Sequence, residues 1–266
     1  MNIIEETVLK NKEDYIEDLK DIIRTSKDGT NSIQDHFLEK VSQLKCINDD
    51  FKYNPDSIDL VEEFANEIVQ SKHPERAIVA KHKGQSNGKS LILFSHPDTE
   101  KYKKDKGWNH DPFEPNISNN KLHGWGIADD LAGVTMMYQS LDVIKKIGIK
   151  LKGDLILAST PSKNHTRGIA SVLYRGYSAD AALYLHPAES GRGLEDIKAF
   201  TPGQIVFSIN FFGQKPETNE PAHTAMSHLG HNPMLDALDV INALKEFEDE
   251  RIKSIRHHLL ESAVGR

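Results

Sequence analysis

The sequence predicts an α/β protein with a mixed, mostly parallel β-sheet that is covered by helices on both faces. Short apolar runs of strand length alternate along the chain with longer segments in which apolar residues recur at helical spacing. The runs are nearly uninterrupted by polar residues, as is typical of strands buried on both faces. The pattern changes near Thr201, which predicts two domains, residues 1–200 and residues 201–266.

The first part of the chain predicts helices. Apolar residues at helical spacing predict a helix over residues 3–24, which Asp28 and Gly29 end. Similar patterns predict helices over residues 32–44 and 55–68. Their charged faces are interpreted as solvated surfaces, with no function implied.

The middle of the chain predicts the sheet, and the end predicts a smaller unit. Predicted strands cover residues 76–81, 91–95, 154–159 and 181–185, and predicted helices cover residues 131–147 and 167–174. After Thr201, residues 204–212 alternate like a half-exposed strand, and residues 233–248 form an amphipathic helical pattern.

Composition restricts the classes of function. The 266 residues can build a sizeable core, and the 33 basic and 40 acidic residues give a formal charge of −7. Without a basic stripe interleaved with aromatic residues, nucleic acid is not an expected partner. No apolar segment approaches the length of a membrane span, so no membrane partner is expected. The single cysteine, Cys46, fits a reducing compartment and predicts a cytoplasmic location.

Two residues with metal-binding chemistry lie at the ends of predicted elements. His96 follows the strand over residues 91–95, and Asp129 precedes the helix that begins near Leu131. Ligand crevices of open α/β sheets form at the carboxyl ends of strands, and imidazole and carboxylate are ordinary zinc ligands. Asp98 could accept a hydrogen bond from the far ring nitrogen of His96 and so orient it. Alone, a His-x-Asp pair is a weak signal whose ordinary interpretation is structural.

The order of residues after His96 resembles a known superfamily. It runs His96-Pro97-Asp98, Trp108, Pro112-Phe113, Gly124-Trp125-Gly126 and Asp129. This order resembles the zinc-dependent amidohydrolases: aminoacylases, acetylornithine deacetylases, succinyl-diaminopimelate desuccinylases and glutamate carboxypeptidases. The resemblance extends from about Ser90 to Asn242 and implies a zinc-exopeptidase-like fold. It implies a divalent cofactor, zinc or another ion such as cobalt or manganese, with His96 and Asp129 as ligands.

The sequence departs from the superfamily after the predicted strand that ends at Ser159. The superfamily has adjacent glutamates there, one a general base and one a zinc ligand, whereas residues 159–168 of this chain contain no carboxylate. His165 could replace a ligand or the base, since its titration range suits proton transfer. Lys163 could hold an anionic substrate or project into solvent. Glu189 is the nearest downstream carboxylate and a further candidate for the base.

A second departure is at His186, where the superfamily has an acidic ligand. Because imidazole also binds zinc, His186 is predicted to be a third metal ligand; the alternative is a satisfied histidine at the sheet edge.

The resemblance also implies a role for the second domain. In the superfamily this domain covers the active site and carries a homodimer contact. The pair Ala222-His223 resembles the segment whose histidine stabilises the oxyanion, so His223 is predicted to be catalytic; the alternative is a polar loop rich in histidine. Members of the superfamily continue well past the position of Arg266, so the resemblance implies a fragment, a chain completed by a second one, or a product with no stable fold.

Two classes of function remain open from the sequence. The first is a metal-dependent hydrolase of the deacylase or peptidase type, acting on an N-acyl amino acid or small peptide. In it His96, Asp129 and His186 bind the metal, and Asp98, His165 and His223 are catalytic. The second is a non-catalytic or inactive relative, which the missing glutamates favour. A nucleotide-binding protein is a weaker third hypothesis, because Gly88-Lys89-Ser90 precedes a strand instead of joining a strand to a helix.

Overall fold

The computed structural model describes residues 2–58, 73–103, 107–163, 165–187, 192, 195–199, 205 and 207–258. The chain forms two compact units, Met1–Gln204 and Ile205–Arg266. Within the described residues, none of the helices is long and apolar enough to cross a membrane.

A five-stranded mixed sheet is the centre of the first unit, as predicted. Its strands are β1 (Ile47–Tyr53), β2 (Glu75–His82), β3 (Leu91–Ser95), β6 (Leu155–Ser159) and β7 (Ala181–Tyr184), in the order β1-β2-β6-β3-β7. Strands β6, β3 and β7 are parallel to one another, while β1 and β2 add to the sheet in antiparallel fashion. Two short strands, β4 (Asn116–Ser118) and β5 (Lys121–His123), form a separate hairpin.

Helices pack on both faces of this sheet. The helices are α1 (Ile3–Lys10), α2 (Lys12–Thr25), α3 (Thr30–Gln43), α4 (Ala132–Lys146) and α5 (Arg167–Tyr174). Because successive strand residues point to opposite faces, β2 contributes Ile78 to one core and Val79 to the other. The first core includes Phe37 of α3 and Met137 of α4, and the second includes Val172 of α5. The predicted coverage of both faces is therefore confirmed.

Several local predictions differ from the structure. The first predicted helix is two helices, α1 and α2, because the backbone of Asn11 leaves the helical conformation (φ −107°, ψ 14°). Strand β1 was not predicted, since its Asn48-Asp49-Asp50 segment interrupts the apolar pattern; pairing with β2 at the sheet edge determines it. Pro55–Ser57 forms one 3₁₀ turn, and residues 59–68 of the predicted third helix lie outside the described residues.

The second unit contains one long helix, α6 (Pro233–Ser254), and a 3₁₀ segment, Thr224–Leu229. The strand predicted over residues 204–212 is wrong for its described residues, 205 and 207–212, which are not in a strand. A strand needs a neighbour for its backbone hydrogen bonds. Pairing in the described part of this unit is limited to a single bridge between Gln214 and His231, and Ile205 and Phe212 are exposed.

Candidate metal centre

Three side chains meet at the carboxyl-terminal edge of the sheet. His96 directly follows β3, and His186 follows the neighbouring parallel strand β7, so their strand ends lie side by side. Asp129 comes from the turn Ile127–Leu131, which leads into α4. One nitrogen or oxygen of each residue lies within 4.8 Å of those of the other two. The structure therefore brings together the three residues that were predicted to be metal ligands.

The two imidazoles share one oxygen of the carboxylate. Nε2 of His96 lies 2.9 Å from Oδ1 of Asp129, and Nε2 of His186 lies 3.3 Å from the same oxygen. The His96 side chain is 2% exposed, whereas that of Asp129 is 48% exposed. The cluster is thus closed on the side of the sheet and open to solvent at Asp129.

Each imidazole is oriented by a backbone carbonyl. Nδ1 of His96 lies 2.9 Å from the carbonyl oxygen of Asp98, and Nδ1 of His186 lies 3.0 Å from that of Pro187. A carbonyl oxygen can only accept, so Nδ1 carries the hydrogen in both rings. Whenever such a ring is neutral, its lone pair is on Nε2, the atom that faces Asp129.

Opposite charges hold the cluster together. Burial alone would lower the pKa of His96, but the hydrogen bonds to Asp129 and Asp98 outweigh it and raise the pKa to about 9. The hydrogen bond from His96, followed by that from Lys163, holds the pKa of Asp129 far below its usual range. Without a cation, a protonated His96 therefore faces an ionised Asp129.

A buried carboxylic acid that the sequence does not predict as part of the site lies next to His96. Asp130 is fully buried and accepts a hydrogen bond from the Ser95 hydroxyl, and the backbone nitrogen of His96 lies 3.4 Å from the same oxygen. Burial raises the pKa of Asp130 to about 6. The sequence signal for this residue is the doublet Asp129-Asp130. Asp129 faces the crevice, and Asp130 binds the end of β3 through Ser95 and His96.

Asp98 makes contacts beyond its predicted one with His96. The nearest acceptor for Nδ1 of His96 is the backbone carbonyl of Asp98, and its carboxylate Oδ1 is farther away, at 3.5 Å. The carboxylate instead accepts the backbone N–H groups of Ser162 and Lys163, each at 2.9 Å. Burial opposes ionisation, but His96 and these two N–H groups keep the pKa of Asp98 below its ordinary value. Asp98 thus joins the β3 end to the loop after β6.

Lys163 belongs to the centre itself. Its ammonium forms an ion pair with Oδ2 of Asp129, whereas the two imidazoles contact Oδ1. The Lys163 side chain is only 11% exposed, so of its two predicted alternatives the structure excludes projection into solvent. This ion pair was not predicted, because it depends on how close the loop after β6 comes to the turn before α4.

His165 and His223, the other residues predicted to be catalytic, have contacts of their own. His165 is buried; its Nδ1 accepts the backbone N–H of Arg167 at 3.2 Å, and its Nε2 lies 3.5 Å from Oε1 of Glu75. The structure does not bring it into the three-residue cluster. His223 belongs to the second unit, where its Nδ1 accepts the N–H of Ala225 at 3.1 Å. Glu189 lies outside the described residues.

Sequence comparisons link the chain to known hydrolases. The model of peptidase family M20/M25/M40 matches residues 92–248. The chain is 36% identical over 109 residues to N-formyl-4-amino-5-aminomethyl-2-methylpyrimidine deformylase of Bacillus subtilis, covering 40% of this chain and 26% of that protein. It is 28% identical over 190 residues to carboxypeptidase G2 of a Pseudomonas species, covering 71% and 43% of the two chains. It is also 28% identical over 165 residues to succinyl-diaminopimelate desuccinylase of Thioalkalivibrio sulfidiphilus, covering 60% and 42%. The chain therefore spans less than half the length of these relatives.

Structural comparisons agree on the fold. The dipeptidase Dug1p of Saccharomyces cerevisiae superposes with a TM-score of 0.56 at 15% identity, covering 68% of this chain and 40% of Dug1p. Human carnosine dipeptidase 1 superposes with a TM-score of 0.51 at 11% identity, with the same two coverages. At these identities the likeness concerns the fold, which is the predicted zinc-exopeptidase-like α/β fold.

Proposed function

This chain belongs to peptidase family M20/M25/M40, and on that premise we propose that it acts as a metal-dependent hydrolase of amide bonds. The observation that carries the proposal is the convergence of His96, Asp129 and His186 at one edge of the sheet. The names of the matched relatives, a deformylase, a carboxypeptidase and a desuccinylase, support a peptide or an N-acyl amino acid as substrate.

The donor set fits one divalent cation. Two imidazole nitrogens and one carboxylate oxygen are the ligands of many catalytic zinc sites, in which a fourth position stays open. His96, Asp129 and His186 would hold the ion, and the Nδ1 hydrogen bonds of both rings already present Nε2 for this purpose. A zinc ion held there would supply Lewis acidity for the attack of water on an amide carbonyl.

The chain's own residues would bind and orient the substrate. Asp129 is at the open side of the cluster, so the substrate amide would approach from there. Asp98 would act as a positioning residue, through His96 and the loop after β6. We keep His165 as a proposed base and His223 as a proposed oxyanion donor. We further propose that the ion is zinc and that the protein is cytoplasmic. We also propose that residues 201–266 are a second domain, through which the chain forms a homodimer.

The metal content of the purified protein tests the proposed centre. We expect about one zinc per chain by plasma mass spectrometry after loading and desalting, and loss of that zinc in His96→Ala and Asp129→Ala, because each removes one of three ligands. His123→Ala, which changes an exposed histidine on β5, is the matched control and should keep the zinc. If neither ligand variant lowers bound zinc, the proposed metal centre is wrong.

Hydrolysis separates the two functional classes. The zinc-loaded chain should release amine from a panel of dipeptides and N-acyl amino acids, and His186→Ala should abolish this release. A chain that binds zinc through His96 but hydrolyses nothing would instead be an inactive relative, the alternative that the missing glutamates favour.

A further inference from the structure

We propose that the ammonium group of Lys163 takes the place of a second cation at Oδ2 of Asp129. The centre then accepts one divalent ion, whose binding is weakened by the nearby positive charge of Lys163. This inference rests on the proposed function, since it concerns the same centre. It assigns a role to Lys163 that follows from its contacts.

The first observation is that the two carboxylate oxygens of Asp129 have different partners. Oδ1 faces Nε2 of His96 at 2.9 Å and Nε2 of His186 at 3.3 Å, whereas Oδ2 is in an ion pair with Nζ of Lys163. A cation held by the two imidazoles would use Oδ1. A second cation bound through the same carboxylate would need Oδ2, the oxygen that Lys163 holds.

The second observation is that Lys163 lies between two carboxylates. Its Nζ contacts Asp129 and lies 3.9 Å from Oε1 of Glu100. Two acidic groups directed at one positive centre are a typical environment for a metal ion as well as for an ammonium. A protonated lysine has no lone pair, so it neutralises these acids without acting as a ligand.

The third observation is that Lys163 is held in place. Its side chain is 11% exposed, and its backbone N–H donates to Oδ2 of Asp98 at 2.9 Å. The preceding N–H, of Ser162, donates to the other oxygen of Asp98. Because the carbonyl of Asp98 orients His96, a single residue holds both the backbone of Lys163 and a metal ligand. Lys163 is therefore unlike a surface lysine that can swing away when a cation arrives.

The consequence is electrostatic competition. The positive charge of Lys163 and an ion on Oδ1 would share one carboxylate at short range, where like charges repel strongly in a partly buried site. A neutral side chain at position 163 would remove this repulsion and leave the full charge of Asp129 to the ion. The affinity for zinc should then rise while the ligands stay the same.

Zinc titration tests this inference, with Zn²⁺ alone as the probe and a competing chromophoric chelator to measure affinity. The wild-type chain should bind one zinc, and Lys163→Met should bind it at least about tenfold more tightly. Lys163→Gln is a second neutral variant in case the methionine variant does not fold, as judged by circular dichroism. Lys163→Arg keeps the charge and should stay within about threefold of wild type. Lys121→Met, at an exposed lysine on β5, is the matched control.

The outcomes separate this inference from the proposed function. Two zinc ions per wild-type chain that both depend on Asp129, or a change of less than about threefold in the neutral variants, would overturn the role of Lys163 and leave the zinc centre standing. Zinc uptake by Lys163→Met but not by wild type would support that role and contradict the proposed function of the wild-type chain. Absence of zinc from all the variants would overturn both.

Discussion

Asp98 illustrates how one residue can join two parts of a site. It lies three residues after Ser95, the last residue of β3, and its carboxylate accepts the N–H groups of Ser162 and Lys163. The His-x-Asp spacing predicts a carboxylate near His96, and Oδ1 of Asp98 lies 3.5 Å from Nδ1 of His96. The main hydrogen bonds of that carboxylate, however, cross to a loop more than sixty positions away along the chain. Spacing along the sequence could not predict them.

Asp98→Asn should lower the free energy of unfolding by about 1–3 kcal/mol, because an amide nitrogen would face a backbone N–H and leave it without an acceptor. Urea denaturation at neutral pH measures the loss. Asp111→Asn is the control, since Asp111 accepts the N–H of Phe113 at 3.0 Å from a side chain that is 48% exposed. Equal effects of the two substitutions would mean that the crossing hydrogen bonds of Asp98 contribute little.

At the scale of elements, one acidic residue connects three helices. Asp18 of α2 lies 2.6 Å from Nζ of Lys40 and 3.5 Å from Nε2 of His36, both on α3, and accepts a hydrogen bond from Gln139 of α4 at 3.1 Å. Its side chain is 13% exposed. Burial alone would raise the pKa of Asp18, but these three partners outweigh it and hold the pKa far below its usual range.

This lowered pKa predicts a dependence of stability on acid. A carboxylate whose pKa is lower in the folded state adds stability above its unfolded pKa of about 3.9, and that stability is lost as the pH falls through the folded value. Asp18→Asn should therefore lower the free energy of unfolding at pH 7, by about 1–3 kcal/mol. The difference in free energy of unfolding between variant and wild type should become smaller below pH ~4.

Urea denaturation over a series of pH values checks this dependence. Asp21→Asn is the control, because Asp21 pairs with Arg24 at the surface and is 51% exposed, so its loss should change stability little. A gap between Asp18→Asn and wild type that stays constant down to the lowest pH would show that the charge of Asp18 is not the source of the effect.

At the scale of the whole molecule, the centre joins segments that are far apart in sequence. Its ligands follow β3, precede α4 and follow β7, and Lys163 follows β6. A cation that binds the three ligand segments at once binds the folded chain in preference to the unfolded one. Zinc should therefore stabilise the unit that contains residues 1–204 as a whole.

At a free zinc concentration about a hundred times the dissociation constant, the added stability should be about 2.7 kcal/mol. Thermal melting with zinc, and again after addition of a chelator, measures the effect as a reversible rise in Tm. The His96→Ala variant should show no rise. The same rise in that variant would place the zinc at another site.

The sequence by itself determined the class of fold. It also predicted the run from His96 to Asp129 and the choice of His186, because these depend on local patterns: apolar runs, the residues that follow them and their order. The tertiary structure alone decided that β1 pairs at the sheet edge, that the described residues of 205–212 are not a strand, and that Lys163 reaches Asp129. Each of these depends on which distant segment lies alongside. Residue types and their spacing predict where a polar group leaves a strand, but only packing decides which partner it meets there.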